Sequence, residues 1–431
     1  MPLEQLLLYL TIASAFTGSL WLYEAGPIHV FPFRMLLIVM WLLFLSSIFF
    51  LNNGRLDLSH VKVKMHLYFF VIWLAYASLS IIWAADKLEA LRNISFLFIG
   101  CSIIFFLIFY FRKLNYLKWL YWLWLFIFIV LIPIGIWEVI TGNHLTASGL
   151  YAEIRPDLIY APTTVFYNQN DFATYIALTL PMLIASMRNY PKSANRILFA
   201  LVFIAGLFLL ISTTSRSCLV ALLLGLSFWF LFLLKLKGKC KTLAIATIML
   251  GLIILAFPDQ TMETIDVVTN QINSLSSLRS HEDDESIDIR QNLIRNALYF
   301  TAESAGVGVG AGNAEFYMER FKIYPVGYVT NVHNWWVEIL LNYGVFIFAG
   351  YVILYVTILL NLWRAYKRVI DRTEKMICEA LLVGMVIFFV ASVSSSSIIA
   401  FSPQWIFFGF ILAFLNYTRI TNSARNSKCT S

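Results

Sequence analysis

The sequence VHNWWVEILLNYGVFIFAG at residues 332–350 marks the point where a polar segment ends and an apolar one begins. The polar segment starts near Phe257 and interrupts a chain that is apolar almost throughout. It contains Arg290 and the glycine-rich run GVGVGAGN at 306–313. Because polar residues are costly in hydrocarbon, this part of the chain is expected to leave the membrane and then return to it.

The composition of the whole chain is typical of an integral membrane protein. Of its 431 residues, 60% are hydrophobic and only 13% are charged, whereas a soluble domain has about 25% charged residues. Apolar runs of about 17–25 residues, each long enough to cross a bilayer, recur along the chain. About twelve such spans are predicted, near residues 4–23, 31–51, 66–84, 93–111, 118–140, 170–187, 197–214, 217–234, 242–257, 334–360, 378–398 and 403–418. The predicted fold is a single all-α membrane domain over residues 1–431.

The basic residues predict which side of the membrane each loop occupies. Lys and Arg collect in cytoplasmic loops, and most of the 31 lysines and arginines fall on one side if the amino terminus is cytoplasmic. Both termini are then cytoplasmic, with the first apolar segment an uncleaved span. The large loop 258–332, between the ninth and tenth spans, is extracytoplasmic and has five Lys or Arg against eleven Asp or Glu. The net charge of +7 therefore reflects membrane orientation, and no nucleic-acid partner is predicted.

Motifs that would indicate a metal or nucleotide are weak in this chain. The five cysteines have no CxxC spacing, so neither a disulfide framework nor a zinc site is predicted. The glycine-rich run lacks the strand and the lysine of a nucleotide-binding loop. It is interpreted as a tight turn back to the membrane, with N–H groups available to an anion. The acidic cluster at 281–285 fits no calcium-loop spacing and is interpreted as solvated.

Two arginines are candidates for binding an anion at the extracytoplasmic face. Arg216 lies in a hinge between two closely spaced spans, where a guanidinium can hold a phosphate through two parallel hydrogen bonds. The alternative is an arginine that extends to lipid headgroups. Arg290 lies on an amphipathic surface helix predicted for 286–302, and a solvated charge on that helix is the alternative.

His333 and Glu338 lie at the start of the tenth span. A neutral imidazole can take a proton from a hydroxyl near physiological pH, although most single histidines have no such role. Glu338 is about one turn into the span, and Glu138 and Asp171 lie near the outer ends of other spans. Any of these carboxylates can orient His333 or pair with an arginine, and the spacing leaves the pairing open.

Several short motifs, taken in order, resemble those of the O-antigen ligase and O-antigen polymerase superfamily of bacterial membranes. The resemblance covers residues 161–355. It rests on FYNQNDFA at 166–173, SRS at 215–217, DIR at 288–290, the glycine-rich run, His333-Asn334, Glu338 and NYG at 342–344. Each motif is short, and their order and topology make the match specific. Ser217 departs from the pattern because the family usually has glycine there, which alters the expected hinge and leaves Arg216 in place.

The resemblance implies a metal-independent, inverting glycosyltransferase, similar to the C-type membrane transferases and without a cofactor. Its donor would be a glycan on undecaprenyl pyrophosphate at the outer face of the bacterial cytoplasmic membrane. By position, Arg216 and Arg290 would bind the pyrophosphate, and His333 would activate the acceptor hydroxyl. Supporting roles are expected for Asn170, Asp171, Asn334 and Glu338. The expected partners are the lipid-linked glycan, an acceptor glycan or glycolipid, membrane lipids, a flippase and a chain-length regulator.

Two activities within this superfamily, and one outside it, fit the sequence. A polymerase transfers the chain to another lipid-linked repeat unit, whereas a ligase transfers it to a different acceptor such as a lipid A core. Residues 332–350 look more similar to exopolysaccharide or teichuronic-acid-type polymerases of Gram-positive bacteria, which favours the polymerase. A flippase of lipid-linked sugars would also have many spans. Transporters, however, often have internal repeats and place charges near the midplane, whereas the candidates here cluster at one face.

Overall fold

The chain folds into a bundle of long helices. The computed structural model describes all residues except 1, 18–19, 21–22, 26–27, 52–56, 153–155, 157, 191–192, 237, 241–284, 394–397 and 430–431. Two short strands, β1 (Tyr23–Ala25) and β2 (Ile28–Val30), form an antiparallel hairpin in which Glu24 lies opposite His29. The helices are α1 (Leu3–Phe16), α2 (Pro32–Ser46), α3 (Lys64–Leu79), α4 (Lys87–Tyr110), α5 (Leu114–Thr141), α6 (Gly149–Ala152), α7 (Gln169–Asn189), α8 (Ser193–Ser212), α9 (Arg216–Phe228), α10 (Glu285–Glu303), α11 (Ala314–Arg320), α12 (Trp335–Arg368), α13 (Arg372–Ala391) and α14 (Ser402–Cys429).

Seven helical segments of the described chain are long and apolar enough to cross a membrane. They are Pro32–Phe50, Lys64–Ile82, Lys87–Tyr110, Leu114–Thr141, Asn195–Ser212, Arg216–Leu233 and Trp335–Arg368. Four further predicted spans coincide with α1, α7, α13 and α14, which are shorter or more polar. The ninth predicted span, 242–257, lies outside the described residues. The helical architecture therefore agrees with a multi-pass membrane protein.

The first predicted span, 4–23, extends beyond the helix that it overlaps, since α1 ends at Phe16. The hydroxyl of Thr17 donates to the carbonyl of Ser14 at 2.9 Å. Ser14 in turn donates to the carbonyl of Thr11 at 2.9 Å. Side chains that bond to nearby backbone compete with helical hydrogen bonds. Hydropathy does not register this competition, so the predicted span is too long.

Two of the more polar long helices lie at the centre of the bundle. Helices α7 and α13 are buried along most of their length, and their polar side chains bond to neighbouring helices. Trp124 Nε1, for example, donates to Thr179 Oγ1 at 2.8 Å. Because these helices face protein rather than lipid, hydrogen-bonded polar groups are tolerated there. This position explains their lower hydropathy.

Helix α13 runs antiparallel to α7 and α9. Near its start, Glu379 accepts hydrogen bonds from Arg188 at the end of α7 and from Trp229 just after α9. The end of α13 therefore lies where α7 and α9 begin. The carbonyl of Ser392 there accepts from the backbone N–H of Trp335, 3.1 Å away, so α12 begins at the same end. We call this the hinge end, after the 213–215 turn that it contains, and the other the Arg188 end.

Residues 285–334 form a small second core over the first turns of α12. The helix predicted for 286–302 is confirmed as α10. Leu293 and Ala297 of α10 are buried against Leu341 of α12. Leu298, which the periodicity also places on the apolar face, is 52% exposed, because Asn296 occupies the buried position and binds the backbone at 323–324.

Candidate functional site

The hinge between α8 and α9 places Arg216 at a helix start. Helix α8 ends at Ser212, and the backbone N–H of Thr214 bonds to the carbonyl of Ile211 at 3.0 Å. Thr214 has a φ of 57°, a left-handed conformation that costs about 1–2 kcal/mol for a residue other than glycine. Ser215 is the N-cap of α9, and Arg216 is its first residue. The N–H groups and the dipole of a helix start favour anions, which adds to the charge of Arg216.

The start of α7 lies beside the start of α9. The side chain of Asn168 caps α7 by accepting from the backbone N–H of Asp171 at 2.9 Å. Its amide also donates to the Asp171 carboxylate at 3.0 Å. One turn later, Thr174 donates to the carbonyl of Asn170 at 2.9 Å and contacts the Cys218 sulfur at 3.6 Å. The FYNQNDFA and SRS motifs are therefore neighbours at the hinge end.

His333 occupies a strained corner immediately before α12. Its φ is 47°, and such backbone persists only where the surrounding structure imposes it, at about 1–3 kcal/mol. The N–H of His333 donates to Asn331 Oδ1 at 2.9 Å. Asn334 caps α12 by accepting from the N–H groups of Trp336 and Val337 at 3.1 and 3.3 Å. The half-buried imidazole is therefore held by fixed backbone rather than by a loose loop.

A cavity of about 220 Å³ adjoins this corner; we call it the small cavity. Its polar lining comes from four separate segments of the chain. The first carries Glu89, Arg92 and Asn93, the second Glu315, the third Asn331, and the fourth Glu338 and Asn342. Glu89 forms an ion pair with Arg92. The half-buried carboxylate of Glu338 has no hydrogen-bond partner among the described residues, so it remains available to a molecule in the cavity.

The glycine-rich run pairs with a break in α12. Gly344 has a φ of 73° and a ψ of −177°, which are not helical values. The carbonyls of Leu341 and Asn342 instead accept from the N–H groups of Val309 and Gly310 at 2.8 and 3.0 Å. A Cβ at position 308 would lie 2.5 Å from the Gly344 nitrogen. Only glycine permits this approach, so the run is a structural seam.

The interpretation of this run as a set of N–H groups available to an anion is wrong for most of its length. Every backbone N–H from Gly306 to Ala311 donates to a protein acceptor. The acceptors include the hydroxyls of Ser304 and Ser80, each at 3.0 Å. The run leads into α11, and the chain reaches α12 only at Trp335, so the predicted turn back to the membrane is not a direct one. Its motif is explained by its fit against α12 and the α3–α4 corner.

Glu138 has a different use from the one that the sequence suggested. Its carboxylate accepts from the N–H groups of Thr163 and Thr164 at 2.8 and 2.7 Å, and His144 Nδ1 lies 3.7 Å away. It is fully buried and holds the loop that leads into α7. Because these contacts occupy its carboxylate, Glu138 is not the carboxylate that pairs with His333 or with the arginines.

The structure therefore places most sequence-predicted site residues at one end of the bundle. The starts of α7, α9 and α12 carry Asn170, Asp171, Arg216, His333, Asn334 and Glu338. Arg290 lies on the exposed side of α10, a helix that packs on α12. Sequence reasoning did not identify Asn93, Glu315 or Asn331, because only long-range packing brings them to the small cavity. No group of three or more potential metal ligands occurs within the described part of the chain.

Comparison with known proteins gives two matches. Residues 200–352 match the family described as O-antigen ligase. Over 416 residues, covering 96% of this chain and 84% of the relative, the chain is 30% identical to the teichuronic acid biosynthesis protein TuaE of Bacillus subtilis (strain 168). The family match runs from α8 through the hinge and the glycine-rich run into α12, and so includes Arg216, Arg290 and His333.

Proposed function

Because this chain belongs to the O-antigen ligase and polymerase family, and is thus a membrane enzyme of surface-polysaccharide biosynthesis, we propose that it polymerises glycan repeat units. The units are carried on undecaprenyl pyrophosphate at the extracytoplasmic face of the bacterial cytoplasmic membrane. The observation that carries the proposal is the shared position of Arg216 and His333 at the hinge end. A helix start that favours anions and an imidazole held by fixed backbone suit this transfer.

In the proposed reaction, the acceptor sugar hydroxyl attacks the anomeric carbon of the donor. The bond from that carbon to the pyrophosphate oxygen breaks, and the anomeric configuration is inverted. His333 takes the proton of the hydroxyl. Undecaprenyl pyrophosphate leaves with the bonding electron pair, and Arg216 and Arg290 neutralise the added charge. In this proposal the two guanidiniums take the role that a metal ion has in other transferases.

The other motif residues have supporting roles in this proposal. Asn334 fixes the backbone that carries His333, since it caps α12. Glu338 projects into the small cavity and accepts a hydrogen bond from a hydroxyl of the acceptor sugar. Asn170 and Asp171 bind polar groups of the donor close to Arg216. The small cavity is thus the proposed acceptor site.

The proposed arrangement in the membrane has twelve spans with both termini in the cytoplasm. The ninth span is 242–257, and the loop 258–332 covers the reaction site from outside. Support comes from the distribution of basic residues and from the hinge end itself, which contains the loop ends that this topology places outside. A cysteine-accessibility scan at Thr214 and Lys322 with an impermeant reagent checks the orientation, because both positions are exposed.

The test uses purified protein in liposomes with an undecaprenyl-pyrophosphate-linked repeat unit and no second acceptor. A ladder of products that disappears in His333→Ala supports the proposal. His60→Ala is the matched control, because His60 is half-buried, lies before α3 and should not affect the ladder. Product that forms only when a different acceptor is added indicates a ligase. Movement of the lipid-linked sugar across the bilayer without transfer indicates a flippase.

A further inference from the structure

A second and larger cavity, of about 900 Å³, lies between residues 285–334 and the α3–α4 corner. We call it the aromatic cavity, because its lining includes Trp83, Tyr299, Phe300, Tyr317 and Phe321. The two cavities have no described lining residue in common. Several of these rings are open to the cavity, with Tyr299 44% exposed and Phe321 54% exposed. Exposed aromatic patches outside the membrane-spanning helices usually mark a binding surface.

Polar groups interrupt this aromatic lining. The hydroxyls of Tyr299 and Tyr317 have no hydrogen-bond partner among the described residues. Glu303 also lines the cavity, and its exposed carboxylate has no partner in the same part of the chain. Among the described residues, no lysine or arginine lines the cavity. This described lining therefore combines flat apolar faces with a few hydroxyl and carboxylate groups and offers a phosphate no cation.

The aromatic cavity adjoins the proposed reaction site. The glycine-rich run forms part of both walls, with Val309 lining the aromatic cavity and Gly312 lining the small one. Three residues of extended chain span at most about 11 Å. Helix α11 divides the two cavities in the same way, since Tyr317 faces one and Glu315 the other. A chain molecule that extends from the small cavity can thus reach the aromatic one.

We propose that the aromatic cavity binds the saccharide part of the lipid-linked glycan, several sugars away from the reacting bond. A pyranose ring has an apolar face of C–H groups, which stacks on aromatic rings, and hydroxyls, which bond to phenols and carboxylates. A polyprenyl tail fits less well, because it would leave Glu303 and both phenols without partners in an apolar environment. The proposal rests on the proposed function and adds where the growing chain is held.

Retention of the growing glycan has a consequence for the length of the product. If the aromatic cavity holds earlier sugar units while the next one is added, weaker binding there should release the glycan sooner. The first transfer depends on Arg216 and His333 and should continue. The expected result is a shorter product distribution with a nearly normal rate of first addition, which differs from the effect of losing a reacting group.

The experiment measures binding separately from catalysis. The probe is the soluble oligosaccharide released by mild acid from the surface polymer of the source strain, titrated calorimetrically into the full-length protein in detergent. We expect binding to wild type and to His333→Ala alike, and binding about tenfold weaker to Tyr299→Leu/Tyr317→Leu. Tyr328→Leu is the matched control, since Tyr328 is fully exposed on the same segment and does not line the cavity.

One further double variant and one competitor keep the result interpretable. Tyr299→Phe/Tyr317→Phe preserves the rings, and we expect an intermediate loss that reports on the hydroxyls alone without disturbing the packing. Equal binding to wild type and to the leucine double variant, with both folded, overturns the proposal. So does displacement of the oligosaccharide by undecaprenyl phosphate, which would assign the cavity to the lipid. Failure of polymerisation in wild type, with oligosaccharide binding intact, would overturn the proposed function and leave the glycan site standing.

Discussion

Two glutamates near opposite ends of the bundle have very different surroundings. Glu379, at the Arg188 end, is 1% exposed and accepts from Arg188 at 2.8 Å, Trp229 at 2.6 Å and Asn189 at 3.2 Å. Glu338, at the hinge end, is half-buried beside the small cavity, without a hydrogen-bond partner in the described chain. A glutamate thus joins helices at one end of the bundle, and another glutamate faces a cavity at the other end.

In the proposed function, Glu379 is a structural charge and Glu338 a functional one. Buried charges are costly unless paired and hydrogen-bonded, and the contacts of Glu379 tie α7 and the turn after α9 to α13. A carboxylate left with open acceptor positions beside a cavity contributes little to stability. In the proposed function, its role is to bind a hydroxyl of the acceptor sugar. At the Arg188 end, the contacts of Glu379 hold the helices together.

The largest expected effect is on stability, and it appears when each of the two glutamates is replaced in turn by alanine. Glu379→Ala should lower the free energy of unfolding by about 3 kcal/mol, the lower limit for breaking a buried pair, because Arg188 retains 28% side-chain exposure. Glu338→Ala should change stability by less than about 1 kcal/mol. Thermal unfolding in detergent measures both. Equal losses at the two positions would remove the distinction between the two ends.

The next largest effect is on activity at the hinge end. Arg216→Lys keeps the charge but loses the planar fork that binds a phosphate through two bonds. A charge-assisted hydrogen bond contributes about 1.5–3 kcal/mol, so the rate of polymerisation should fall about 10- to 150-fold with the unfolding midpoint unchanged. Arg196→Lys is the control, because within the described part of the chain this exposed arginine bonds only to the Tyr190 carbonyl. A normal rate for Arg216→Lys would mean that position 216 provides charge alone.

The smallest of these effects sharpens the role of Glu338. Glu338→Gln keeps the size and one acceptor oxygen but removes the charge. Loss of a single hydrogen bond of about 1 kcal/mol should raise the KM for the acceptor about fivefold while leaving kcat and stability almost unchanged. Steady-state kinetics with varied acceptor concentration checks this. A fall in kcat with constant KM would instead indicate that Glu338 acts on His333.

Eleven of the twelve predicted spans coincide with helices of the described chain, because each requires only a long apolar run. The sequence also predicts α10, since the spacing of Leu293 and Ala297 is helical, and the hinge at Arg216, since too few polar residues separate the flanking spans. The end of α1 was predicted too late, because hydroxyl-to-backbone bonds near Thr17 have no hydropathy signature.

The arrangement of the site could not be predicted in the same way. The backbone N–H groups of Val309 and Gly310 bond to carbonyls of α12 that the break at Gly344 frees. The two segments are separate in the sequence, so local patterns do not show that they pair. Glu138 also appeared equivalent to Glu338 in the sequence, because each lies near the outer end of a span. Only the packing of the 163–164 loop shows that the Glu138 carboxylate already accepts hydrogen bonds from that loop. Long-range packing decides these questions, and a single sequence does not contain it in readable form.

The most direct test of the central claim is to locate the lipid pyrophosphate on the protein. A photoreactive analogue of undecaprenyl pyrophosphate is cross-linked to wild type in liposomes, and the modified peptides are mapped with and without excess unlabelled lipid. We expect competed labelling at the hinge end, on peptides that contain Arg216, Arg290 or His333. Competed labelling at the Arg188 end, with none at the hinge end, would contradict it.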